Sequence, residues 1–190
     1  MKKVFINFFA LLLSISVAHA AGVTYTLDSA HTFVLWHIDH FGFSKQTGKL
    51  YANGTLVLDE GTPENSRVNA AIQTATVDTG NKDLDQHLQG DLFFSTGNYP
   101  LATFVSKKVI VKGKDRATVS GLLSIRGVAK PVSLEVKFNK SGDSVITDKE
   151  TVGFTAITTI KRSDFGMTTL LPGLGDTVNL EIQAEAYKAS

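Results

Sequence analysis

The chain has 190 residues, 19 Lys plus Arg against 18 Asp plus Glu, and no cysteine. That length suits one domain with a sizeable core, and the absence of cysteine excludes disulfides, thiolate nucleophiles and cysteine metal sites. The formal charge of +1 falls to about −1 without Lys2 and Lys3, so nothing in it points to nucleic acid or to an anionic membrane surface.

The first residues read as an export signal. Lys2 and Lys3 precede an apolar run over residues 4–13, interrupted by Asn7, and Ala18-His19-Ala20 supplies small residues where a signal peptidase cuts. Cleavage is expected after Ala20, leaving residues 21–190 as one domain with a periplasmic destination. The run is shorter than the ~20 residues of a spanning helix, and no later segment is long and apolar enough to span.

Strands follow. Residues 24–27 are β-favouring. Over residues 33–40, Val34, Trp36, Ile38 and His40 share one face, which is the better candidate for the interior. Residues 50–58 carry Gly54 at mid-strand, a mark of a bend, and residues 68–77 form the next strand. Residues 81–89 break the pattern: Leu84, His87 and Leu88 have helical spacing, Thr79 or Asn81 is positioned to cap, Asp83 and Asp85 lie in the early turns, and Gly90 ends the segment. This short helix packs on a sheet or closes a barrel end. Strands resume over 102–112, 117–126, 132–139, 151–161 and 178–186, with Val132, Leu134, Val136 and Phe138 alternating cleanly against polar neighbours. The expected fold class is all-β: about eight antiparallel strands and one short helix in a lipocalin-like barrel, because closure removes exposed edges. A two-sheet sandwich is the alternative architecture.

Chemistry-bearing residues are sparse. His37 and His40 point to opposite faces of their strand, and no metal-ligand spacing exists, so no metal site is expected. His40, inward by alternation, is either a hydrogen-bonded core residue or a contact for a ligand headgroup. Ser44, Ser95, Ser106 and Ser163 lack a nucleophile-elbow setting, and no catalytic residues are assigned. The mature chain is rich in phenylalanine on its strands and near their ends. Phe104 and Phe154 on strands, and Phe41, Phe43, Phe93 and Phe94 just after regular elements, either fill the core or line a pocket or its mouth. Arg162-Ser163-Asp164-Phe165-Gly166 places an Arg162–Asp164 ion pair and an aromatic at the end of an apolar strand, either as a salt-bridged corner or as a fixed loop at the barrel opening where Arg162, Asp164 and Phe165 would meet a ligand.

These segments in order resemble the YceI-like (polyisoprenoid-binding) family of bacterial periplasmic proteins. The resemblance is carried by His31-Thr32-Phe33, His40-Phe41-Gly42-Phe43-Ser44, Asp78-Thr79, His87-Leu88, Asp91-Leu92-Phe93, Tyr99-Pro100, Pro131-Val132, residues 162–166 and Gly175-Asp176; Thr32 stands where Ser is expected. It implies a lipocalin-like barrel with an added helix and a long apolar tunnel. The tunnel would hold a polyisoprenoid, an isoprenoid quinone or a fatty-acyl-like molecule as ligand, with no cofactor and no turnover. A packed barrel that serves as a stress or interaction protein is one alternative. An enzyme acting on such a lipid is another. Monomer and homodimer are both left open.

Overall fold

The computed structural model describes residues 22–189; the expected export signal lies outside the described residues. The strands are β1 (Val23–Leu27), β2 (Phe33–His40), β3 (Ser44–Leu58), β4 (Arg67–Gln73), β5 (Leu101–Val111), β6 (Arg116–Ile125), β7 (Val128–Asp143), β8 (Glu150–Lys161) and β9 (Leu174–Lys188), with one helix, α1 (Lys82–Gln89), between β4 and β5. From β2 to β9 each strand pairs antiparallel with the next, and β9 returns to β2, so eight strands close into a barrel. β1 is the extra strand. It continues the line of β2, pairing with the far ends of β3 and β9. The sandwich alternative is excluded by this closure.

The gap between β1 and β2 is bridged by side chains. Buried Thr32 donates its hydroxyl to the Glu185 carbonyl at 3.0 Å and accepts from the Glu185 N–H at 3.3 Å, replacing ladder bonds that the break removes. The turn itself is locked by Asp28, which accepts from the Ala30 N–H and pairs with His31 Nδ1 at 2.7 Å. Burial works to raise the Asp28 carboxyl, but hydrogen bonds from His31 and Ala30 outweigh it and hold it below its usual 3.8. His31 is raised above 6.5 by its bond to Asp28, then by the charges of Asp28 and Glu185. The carboxylate's contribution to stability is present above its ordinary value and lost as pH falls through the lowered one. The imidazole's is present below its ordinary value and lost as pH rises through the raised one. The pair therefore stabilises most between 3.8 and 6.5. His31→Gln should flatten the urea midpoint against pH on the alkaline side of that window; a curve identical to the wild type would contradict this.

Alternation sorts the walls. The inward face of β2 is Val34, Trp36, Ile38 and His40, as its sequence pattern implies, and Val132, Leu134, Val136 and Phe138 of β7 also face in. Irregularities in pairing shift the phase twice, between Ser106 and Lys108 in β5 and between Phe138 and Lys140 in β7. Past the first, Val109 and Val111 take over the inner wall from Phe104 and Ser106. Gly54 is fixed by contact: a Cβ there would lie 2.1 Å from the Asn69 carbonyl oxygen, and its φ is +144°.

Some strands differ in extent from their hydrophobic patterns. β3 begins at Ser44 rather than Leu50, because residues 44–49 form the return arm of the β2–β3 hairpin. β4 stops at Gln73, where Thr74–Thr76 makes a 3₁₀ turn. Asn81 caps α1, its side-chain oxygen accepting from the Asp83 and Leu84 N–H groups. Thr79 instead donates to Asp85 at 2.7 Å. The apolar side of α1 faces the barrel interior, with Leu84, His87 and Leu88 on the cavity wall, so the helix closes one end.

Candidate ligand cavity

The barrel is hollow. A cavity of about 960 Å³ runs through it, near the upper limit of small-molecule sites. Ala117, Val119, Leu123 and Ile125 of β6 all line it, which spans roughly 26 Å of strand at the usual rise per residue and roughly 20 Å along a barrel axis tilted as usual. A filled interior, required of a packed interaction barrel, is not what these walls enclose.

The wall is almost wholly apolar. Two of its hydroxyl groups are engaged with backbone: Ser106 accepts from the Val68 N–H and Thr158 donates to the Ser133 carbonyl. Trp36 Nε1 differs. It is the buried side-chain polar atom that lacks a hydrogen-bond partner among the described residues, and its indole lies on the cavity wall. A buried donor without a partner is costly; this one is turned toward Gly48 rather than toward the open cavity. The indole rests against Gly48, where a Cβ would lie 2.3 Å from the ring. Gly48→Ala should therefore push the ring into the cavity, costing about 1–3 kcal/mol in urea unfolding and shifting Trp36 fluorescence. A variant with wild-type stability and emission would contradict this packing.

The residues expected at the site separate into two groups. Val34, Trp36, Ile38, His40, Phe41, Phe93, Phe94, Phe104, Phe154 and Arg162 line the cavity. Phe43, Asp164 and Phe165 do not. Phe43 projects from the β2–β3 turn with 90% of its surface exposed, because the chain has left the strand whose alternation would have directed it. Residues Arg162–Phe165 form a 3₁₀ turn rather than extended strand. Arg162 points in, Asp164 is exposed on an outer cleft, and Phe165 is buried in the core cluster.

The expected Arg162–Asp164 ion pair is replaced by a different arrangement. Arg162, 3% exposed, donates to four carbonyls: Gly175 from Nε at 2.7 Å, Met167 and Thr169 from one terminal nitrogen, and Leu174 from the other at 3.0 Å. The guanidinium ties down the whole β8–β9 connection. Burial pulls it below its usual value, opposed by the charge of Asp176. The Asp176 carboxylate itself holds the turn by accepting from the Ser163 N–H and hydroxyl.

His40 stands at the helix end of the cavity, its ring 4.8 Å from that of Phe41 in an edge-on contact. It is half-buried and lines the mouth, so it is not a sealed core residue. Two serines considered as nucleophiles are structural: Ser95 donates to Asp91 at 2.6 Å, and Ser163 donates to Asp176. Two lining residues, Leu170 and Met167, come from the β8–β9 connection, which has no periodicity to announce them.

The YceI-like domain profile matches residues 25–186, nearly all of the described chain. This chain belongs to the YceI-like family. YceI-like relatives named Protein YceI from Salmonella arizonae and Salmonella paratyphi B are each 36% identical, with 99% of both chains covered. The Campylobacter jejuni YCEI crystal structure matches this YceI-like barrel with a TM-score of 0.67 at 26% identity, covering 98% of this chain and 94% of that one. Burkholderia cenocepacia BcnA matches with a TM-score of 0.73 at 24% identity, covering 84% and 98%. A polyisoprenoid binding domain from Saccharophagus degradans shares the fold at 16% identity and a TM-score of 0.67, covering 88% and 99%.

Proposed function

We propose that this protein is a periplasmic binding protein that sequesters or carries a long apolar lipid, of the polyisoprenoid, isoprenoid-quinone or fatty-acyl type, without chemical turnover. The observation that carries this reading is the cavity: about 960 Å³, with a mostly apolar wall between its two ends. Burying a lipid chain there is favourable by ~0.8 kcal/mol per methylene, enough for tight binding after the costs of association. The kinship with YceI-like proteins and the Lys2–Lys3 export pattern support the compartment.

Trp36 is the sole tryptophan of the chain and lies on the cavity wall, so it reports on occupancy directly. Titration with a prenylated benzoquinone should quench its emission to saturation, and a short unprenylated quinone should not compete. Quenching that does not saturate, or that the short quinone reproduces, would sink the reading.

A further inference from the structure

The two ends of the cavity differ in chemistry. At the end away from α1 the lining is charged, with Glu60, Arg67, Lys114 and Arg116. At the helix end it carries the uncharged polar residues Gln46 and Asn81 and the imidazoles of His40 and His87 among apolar side chains, several of which project into solvent. Phe41 and Leu170 line the cavity yet are 41% and 55% exposed, while Phe43 and Leu92 beside them are 90% and 57% exposed. Contacts join these residues into one surface. Gly173 packs so closely on Phe41 that a Cβ would lie 2.8 Å from its ring. The Leu174 N–H donates to the Leu170 carbonyl at 2.9 Å, and the Thr169 hydroxyl donates to the Leu92 carbonyl at 3.2 Å.

Backbone conformation adds a second observation. Phe41 and Leu170 have φ of +56° and +62°, a region that bulky side chains avoid. Such residues persist only where surrounding structure holds them, and they cluster at ligand clamps and switch regions. Here both sit at the same mouth.

We propose that the helix end of the barrel docks on a lipid bilayer, with Phe43, Phe41, Leu170 and Leu92 entering the interfacial region so that ligand passes between membrane and cavity without crossing water. This rests on the lipid-binding reading above. Continuity decides the occupant: the exposed side chains of Phe41 and Leu170 also line the cavity, so the outer apolar surface leads into it, and these side chains stand on loop tips, which suit a fluid interface. Charge decides the kind of bilayer. Lys45 lies opposite Asp39 in the β2–β3 register, Lys82 is followed by Asp83 and Asp85, and Arg126, bonded to the carbonyls of Asp91 and Phe93, has the Asp91 carboxylate on the same segment, so acidic groups accompany these cations and do not leave a net basic face to select anionic headgroups. With only a few apolar side chains inserted, the association is reversible.

The chain has no cysteine, so single sites can be labelled. Phe43→Cys carrying an environment-sensitive fluorophore should shift to the blue on adding phosphatidylcholine vesicles. Val145→Cys, at a fully exposed apolar site on the opposite end, should not. The shift should survive about 0.5 M salt, which screens surface charge. No shift at position 43, an equal shift at 145, or a shift that requires anionic lipid would overturn the proposal. A second readout is transfer of a dansyl-labelled polyprenol from protein to vesicles. Its rate should rise in proportion to vesicle concentration, and Phe43→Asp should slow it by about tenfold or more without changing equilibrium binding; a rate independent of vesicle concentration would overturn docking. Docking without polyprenol binding would retire the lipid-binding reading alone, and binding without docking would retire this inference alone.

Discussion

Ala156→Phe is expected to abolish lipid uptake while leaving the barrel as stable as before, or more so. Ala156 sits on the inner wall in register with Val136 and Ile182, and all three line the cavity. In a filled core, the added ring would force neighbours off their rotamers at about 1–3 kcal/mol. In a hollow barrel it gains burial instead, at ~25 cal/mol per Å² of apolar surface, and occupies the path of the ligand. Urea midpoints should hold or rise while affinity for a prenylquinone falls by at least about tenfold, or ~1.4 kcal/mol. A destabilised variant that still binds would show that the interior is packed and the ligand sits elsewhere.

Arg162→Met should be the most damaging single substitution in the connections. The arginine is buried and serves four carbonyls between Met167 and Gly175. Its removal leaves inward-facing acceptors without donors in a segment that forms part of the cavity wall. Hydrogen bonds to charged groups contribute ~1.5–3 kcal/mol each and are not additive, so a loss of about 3–4 kcal/mol is expected in urea unfolding. Arg162→Lys should recover less than half of it, because an ammonium presents three donors on one nitrogen and lacks the planar fork that reaches several carbonyls at once. A Met variant within about 1 kcal/mol of the wild type would show that the connection holds itself together without the clamp.

Both residues show how far the sequence reads on its own. The alternation that places Val34, Trp36, Ile38 and His40 on one face of β2 is legible because one dry wall imposes a period of two. So is the helix, with its Asn81 cap. The early part of β3 is not legible, since Ser44, Lys45 and Thr47 are polar and exposed, and only pairing with β2 makes them strand. The phase shifts in β5 and β7 are likewise invisible locally, because an extra residue leaves no compositional trace while exchanging the two faces.

The site reads well on the strands and poorly beyond them. Phe154 and Phe104 are directed by the sheet, whereas Phe43, Asp164 and Phe165 lie in turns where sequence proximity to the wall does not set direction. Arg162 lines the cavity, but its partners are carbonyls, which every residue has and no sequence advertises. Leu170 escapes notice for the same reason, standing in an aperiodic loop that only the β8–β9 connection brings to the mouth.

The central claim is that the apolar cavity holds a lipid. The most direct test is native mass spectrometry of the protein taken from the periplasm of its own host, followed by organic extraction and identification of what is released. The account predicts an added mass that matches an isoprenoid or long acyl compound and disappears in Ala156→Phe. A clean unliganded mass, with no uptake when such lipids are supplied, would contradict it.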